Sequence, residues 1–325
     1  MKFVNSYYLP SGRAFVLQTD DGYLIECTEM RDVSVGGKEN YEVRNSLDPR
    51  VVWRHVVDYE DKWLLTVSTQ KGCAYNCQFC DVAKLPFKGN LSTEEILQQI
   101  EFLLNSTPYV NRSSKVKIGF ARMGEPSHNL DNVLEAMVML PIISKTKDKE
   151  FIWLPCFNSI LPRKVSGGYS GFTVIEKVLE VKNRIFDGFL HFQISVNSTD
   201  EEVRKILFGN ADVLTIEEIV KYINKSNIRN RTVTLNFIVM KGISIDIEYL
   251  MKLRLNKDKF TVKLIPLNKT WNAKEHKLKT VANYENYKEL EKIKREFISR
   301  GVPVVIDAIA KCEEAGLCCG QLVQL

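Results

Sequence analysis

The stretch WLLTVSTQKGCAYNCQFC, residues 63–80, runs from an apolar pattern straight into a loop that holds Cys73, Cys77 and Cys80. A short apolar run bounded by polar residues reads as a buried strand. Three thiols from one loop fall one short of the four that a closed zinc site or an ordinary cysteine-ligated iron–sulfur cluster takes. Either a fourth ligand comes from elsewhere or the site stays open.

Working outward, the strand pattern recurs. KVKIGFA (115–121), FIWLPCF (151–157), LHFQISV (190–196), RTVTLNFIVM (231–240) and FTVKLIPL (260–267) each precede a polar loop and usually an amphipathic segment. In LSTEEILQQIEFLL (91–104), Ser92 and Glu95 have the spacing of a capping box, and Ile96, Ile100, Leu103 and Leu104 form a helical stripe. Tandem βα units with near-continuous apolar strands imply a parallel sheet with right-handed crossovers. The expected fold is therefore α/β, a partial (β/α)6 TIM-type barrel over residues 61–325. Residues 1–60 read as a small N-terminal β appendage, with strands RAFVLQT and YLIECTEM joined at Asp21-Gly22.

In such barrels the chemistry sits at the C-terminal ends of the strands. The three cysteines follow the first strand, Gly124-Glu125 the second, Cys156 to Ser159 the third, Ser195 to Asn197 the fourth and Asn268 the sixth. Individually these read as a plain turn and strand-end caps. Together they predict one functional rim.

Composition bounds the rest. The 325 residues are 45% hydrophobic and 26% charged, which excludes a disordered, collagen-like or coiled-coil chain. No secretory signal pattern or run of about 18 apolar residues appears, so a cytoplasmic protein without a membrane span is expected. In a reducing compartment clustered cysteines bind metal or do chemistry more often than they form disulfides. Net charge is +5, yet residues 251–300 alone carry 14 Lys or Arg against 6 Asp or Glu. That excess suits a phosphate-bearing partner or a solvated lysine-rich helix face.

The spacing C-x3-C-x2-C, with the aromatic Phe79 before its last cysteine, resembles the motif of the radical S-adenosylmethionine (SAM) enzymes. The resemblance implies a 4Fe-4S cluster on Cys73, Cys77 and Cys80, with SAM chelating the iron left open. A zinc site lacks a nearby fourth ligand, since His55 precedes the first strand. A simple electron carrier would not need a barrel.

Further segments narrow the likeness. VSTQKGCAYNCQFC, FARMGEPSHNLDNVLEA, FQISVNSTDEEVRKIL, NFIVMKGI, KLIPLN and CCGQL resemble, in the same order, the adenine-C2 RNA methyltransferases RlmN and Cfr. What the resemblance implies is a SAM site formed by Phe79, Gly124, Glu125, Ser195, Asn197 and Asn268, with Glu125 gripping the SAM ammonium. Cys319 would be methylated by one SAM, and the methyl would then be activated by a radical from a second and transferred to adenine in RNA or a related nucleotide. A reducing partner such as flavodoxin or ferredoxin is implied as well. A Cys318-Cys319 pair read without the resemblance is a buried or oxidisable thiol pair.

The sequence also departs from that family. The resolving cysteine, seven positions before Cys73, is Thr66 here, which leaves Cys318 and Cys312 as candidate second thiols. The family's general base falls on Trp53, with Glu60 or Asp58 as substitutes. SVNS stands at 195–198 where the family has SLHA, and the helical accessory domain is not seen before the β segment, so reduced or redirected RNA affinity is expected. The alternatives are a radical SAM enzyme abstracting hydrogen from a small molecule or peptide, and a cluster-bearing RNA-binding or sensor protein.

Overall fold

The computed structural model describes residues 1–9, 12–31, 57–282, 287–307 and 318–325. His55, Trp53 and Cys312 lie outside the described residues.

Three strands open the chain, β1 (Lys2–Leu9), β2 (Gly12–Gln18) and β3 (Leu24–Arg31). The expected hairpin at Asp21-Gly22 joins the last two: Gly22 takes a φ of 86° and donates its N–H to Thr19. β4 (Trp63–Val67) pairs antiparallel with β3, so the N-terminal strands continue the sheet of the units that follow. Short strands β5 (Gln70–Lys71) and β6 (Gly89–Asn90) pair with each other and bracket the cysteine loop.

Beyond them lie β7 (Arg112–Phe120), β8 (Glu150–Ser159), β9 (His191–Ser195), β10 (Val233–Val239), β11 (Phe260–Pro266) and β12 (Val304–Ile306). From β4 onward every neighbouring pair is parallel and in sequence order. All six expected parallel strands are present. β12 adds a seventh, too short to show as a pattern. Among the described residues the sheet runs from β1 at one edge to β12 at the other without closing, which makes the architecture a partial barrel.

Helices fill the crossovers: α1 (Thr93–Ser106), α2 (Leu130–Thr146), α3 (Gly171–Arg184), α4 (Glu201–Leu207), α5 (Ile216–Lys225), α6 (Ile247–Lys252), α7 (Trp271–Glu275) and α8 (Lys288–Ser299). The capping box of α1 is formed by Ser92 and Glu95 as the spacing predicts, and Ile96, Ile100, Leu103 and Leu104 are buried. α5 starts on a second such box, Thr215 with Glu218.

Strand alternation divides the side chains. On β4, Trp63, Leu65 and Val67 sink into the core under the helices, while Leu64 and Thr66 face the concave side. Because parallel register keeps partners on one face, Lys117, Gly119, Cys156, His191, Gln193, Thr234 and Lys263 share that concave side. Among the described residues no helix is long and apolar enough to cross a membrane.

Candidate active site

The cysteine loop leaves the C-terminal end of β4 and is held from several sides. Gln70 accepts the N–H of Glu125 at 2.9 Å and that of Ala74 at 3.4 Å, which joins the loop to the turn after β7. From the other side, Asn272 at the start of α7 donates Nδ2 to the carbonyls of Cys77 (2.9 Å) and Cys80 (3.2 Å). Thr270 donates to the carbonyl of Phe79 at 3.0 Å, and the Phe79 ring packs edge-on to Phe208. Asp81, fully buried, accepts the N–H groups of Trp271 and Asn272 and the Nε2 of Gln321. One carboxylate therefore joins the cysteine loop, α7 and the C-terminal segment.

The thiols themselves are strained electrostatically. Burial pushes the Cys73 thiol up to about 12, and Cys77 rises well above its usual value through burial and then the charges of Cys73 and Cys80. Three thiolates so placed need a cationic group to offset their mutual repulsion. Among the described residues no three His, Cys, Asp or Glu side chains gather around one point as a mononuclear ion requires. A cube whose irons each take one thiolate suits that donor set.

Gly124, with φ of 103°, occupies a conformation that side chains disfavour, and a Cβ there would lie 2.6 Å from Gln70 and 2.8 Å from the hydroxyl of Thr69. Next to it the Glu125 carboxylate is 6% exposed and turned inward. Oε1 accepts from the Ser127 hydroxyl at 2.7 Å and Oε2 from the Ile160 N–H at 3.2 Å, and burial raises its pKa. It shapes the turn after β7 and ties it to the end of β8.

Ser195 and Asn236 are register partners on the concave side. Asn197, at φ 64°, accepts the N–H of Ile238 through Oδ1, but its buried Nδ2 has no hydrogen-bond partner among the described residues. The buried Oδ1 of Asn236 also has none. Buried orphan amide atoms are costly and rare, so a donor and an acceptor stand ready for a polar ligand. Asn268 lies on the loop after β11, bordering a groove with Trp271 and several lysines.

Cys319 arrives from the far end of the chain. Arg122, two residues past β7, places Nη1 3.6 Å from the Cys319 Sγ and donates Nη2 to the Cys318 carbonyl at 3.3 Å. Nη2 also pairs with Glu26 of β3 at 2.7 Å, and Glu26 in turn accepts the N–H groups of Gly320, Leu322 and Val323. Burial alone would depress the Arg122 pKa, but Glu26 and the two thiols outweigh it and raise it. Cys319 is near enough to Cys80 that, after burial, its charge is the next cause raising the Cys80 thiol.

Other sequence candidates fall elsewhere. Thr66 faces the concave side with its hydroxyl 2.6 Å from that of Thr28. Glu60 pairs with Arg112 just before the start of β4, at the opposite end of that strand from the cysteines, and Asp58 precedes the same end. Neither is positioned as a base at the rim. Glu26, Asp81, Arg122 and Asn272 were missed by sequence reasoning. Their one local signal is Glu26 alternating with Ile25 and Cys27, a carboxylate set into an apolar strand.

A parallel sheet whose C-terminal rim carries an open three-thiolate loop defines a class, the cluster-bearing partial βα barrels. The chain belongs to the radical SAM superfamily, whose family model matches residues 67–253. Membership implies a 4Fe-4S cluster and SAM as cofactors, and the donor set on the rim suits both. Among curated proteins it is 29% identical, over 61% of its length, to the probable dual-specificity RNA methyltransferase RlmN of Chlorobaculum tepidum. It is 26% identical, over 81% of its length, to the dual-specificity RNA methyltransferase RlmN of Syntrophotalea carbinolica. The chain spans 49% and 63% of those two relatives. Its fold is similar to that of a radical SAM methyltransferase from Sphaerobacter thermophilus, with a TM-score of 0.69 at 17% identity, covering 98% of this chain and 80% of that one.

Proposed function

We propose that this protein is a cytoplasmic radical SAM methyltransferase that works through a methylated Cys319 on adenine in RNA or a related nucleotide. The observation that carries the reading is the position of the Cys319 Sγ, 3.6 Å from Arg122 Nη1 and within electrostatic reach of the cluster ligand Cys80. An adjacent guanidinium favours the thiolate, the form that attacks a methyl group. Glu26 holds that guanidinium and the Gly320 to Val323 backbone together, so the sulfur is aimed by a fixed frame.

When bound, the cluster would supply single electrons, delivered by a reducing partner such as flavodoxin or ferredoxin, and SAM the methyl and 5'-deoxyadenosyl groups. Cys73, Cys77 and Cys80 would hold the cluster. Gly124, Ser195, Asn197 and Asn268 would border SAM, with the free Nδ2 of Asn197 as a donor to it. Glu125 would act mainly through the shape of its turn, its inward carboxylate reaching the SAM ammonium only by giving up one of its bonds to Ser127 or Ile160.

An RNA substrate is supported by the names of the curated relatives and by the groove beside the rim. That groove, about 520 Å3, is lined by Lys269, Lys274, Lys277, Lys279 and the half-exposed Trp271, and Thr270 and Asn272 bind it to the cysteine loop. Cations that track phosphates beside an aromatic face suit single-stranded nucleic acid.

A second reading rests on Thr66. With a hydroxyl bonded to Thr28 where the family has its resolving thiol, the protein would instead abstract hydrogen from a small molecule or peptide. Anaerobic incubation with deuterated-methyl SAM and total RNA distinguishes the two. Label on Cys319 and in 2-methyladenosine is expected; an unlabelled Cys319 together with 5'-deoxyadenosine formation would select the second reading.

A further inference from the structure

Below the rim, the concave face of the sheet encloses a cavity of about 400 Å3. Its lining comes largely from the N-terminal ends of the parallel strands: Lys62 before β4, His191 opening β9, Arg231 before β10, with Lys117 on β7 and Lys263 on β11 one layer deeper. Asp307, paired with Lys263 at 2.6 Å, is the one carboxylate among the described lining residues. The cysteine loop leaves the other ends of these strands, so this mouth is separate from the candidate active site.

Lys62, Arg231 and Lys263 have partners of their own, and Lys117 is the cation of this lining that faces the cavity without one among the described residues. Its pKa is lowered by burial and then by Lys263. The Nδ1 atom of His191 is buried without a partner. Burial, then Lys117, Arg231 and Lys263, hold that imidazole neutral, down to about 2. A half-buried ammonium facing like charges across a cavity is costly unless an anion offsets it. The volume falls in the range of about 300–1,000 Å3 common to small-molecule sites, and the hydroxyl-bearing Thr232 and Thr234 add neutral donors to the wall.

We propose that this cavity is a binding site for a free phosphate-bearing anion, its charged group seated between the Lys117 ammonium and the buried Nδ1 of His191. The site opens at the end of the strands opposite the cysteine loop. It gives the protein a means of sensing, or being held together by, a small phosphorylated molecule.

The test uses the anaerobically reconstituted full chain, with thermal unfolding followed in sodium pyrophosphate against sodium chloride of equal ionic strength. Pyrophosphate should raise the midpoint for the wild type. Lys117→Met should raise the midpoint without pyrophosphate, by removing one of several like charges that face the cavity, and weaken pyrophosphate binding about tenfold or more. Lys117→Arg should retain binding, which keeps the comparison usable if the methionine variant folds poorly. Equal responses to the two salts, an undiminished pyrophosphate shift in Lys117→Met, or a shift with an RNA oligonucleotide and none with pyrophosphate would each overturn the proposal.

Discussion

Nη1 of Arg122 stands 3.6 Å from the Sγ of Cys319, while Nη2 of the same guanidinium pairs with the fully buried Glu26 at 2.7 Å. The arginine thus has two tasks on two sides, one toward a thiol and one toward the strand that anchors it. Removing one partner of a buried, hydrogen-bonded ion pair leaves an uncompensated charge, at a cost of about 3–5 kcal/mol. Arg122→Met should lower stability by that order in chemical denaturation and slow methyl loading of Cys319 measured by intact mass. Arg122→Lys should recover much of the stability and less of the loading, because one ammonium cannot reach both Glu26 and the thiol as a fork does.

Cys73, Cys77 and Cys80, proposed to hold the cluster, are expected to act as a set. Each of Cys73→Ala, Cys77→Ala and Cys80→Ala should lose the iron and the visible absorption of the reconstituted protein, and with them 5'-deoxyadenosine formation. Iron analysis beside product chromatography checks this. A Cys77→Ala protein that still cleaves SAM normally would remove the cluster assignment.

Gly124 tests the turn after β7. Its φ of 103° and the 2.6 Å approach of Gln70 leave no room for a methyl group. Gly124→Ala should destabilise by more than about 1 kcal/mol and weaken SAM binding, since Gln70 must move and it also positions Ala74 of the cysteine loop. Equilibrium dialysis with labelled SAM reads the second effect.

Acid sensitivity has a named contributor at the start of α5. The Arg163 guanidinium binds Glu218 through both oxygens at 2.8 Å and, with the Thr215 cap, holds its carboxyl at about 2 instead of 4.5. A depressed carboxyl adds stability that is present above pH 4.5 and is lost as pH falls toward 2. Glu218→Gln should flatten that part of the stability profile, followed by urea unfolding across the acid range. The pair is partly exposed, so the effect should shrink in high salt.

For the groove beside the rim, Lys274→Glu combined with Lys277→Glu should weaken single-stranded RNA binding and make it less steeply salt-dependent, by a slope of about 0.7 for each lost phosphate contact. Trp271→Ala should cost about 1–3 kcal/mol of binding with little change in slope. Fluorescence titration at several salt concentrations separates the two.

The six parallel strands were readable because each carries a dense apolar pattern, as in FTVKLIPL, whose Phe260, Val262 and Leu264 are buried. β1, with Asn5 and Ser6 among exposed neighbours, carries no such run, and β12 spans only Val304–Ile306. The cysteine spacing is local and therefore visible. Its supports are not: Asp81 meets Gln321 across 240 positions, and Arg122 meets Cys319 across 197. No periodicity or spacing rule links residues that far apart. The cationic cavity was hidden for a similar reason, since Lys117, His191 and Lys263 become neighbours only once the five strands β7 to β11 lie in register.

The hold of Glu26 on Gly320 closes a loop of 294 positions. Closing so long a loop costs chain entropy that the contacts at its ends must offset. A chain interrupted before Gly320 would keep Cys73, Cys77 and Cys80 and lack the frame that holds Cys319 beside Arg122. The last few residues therefore decide whether that thiol has a fixed place at all.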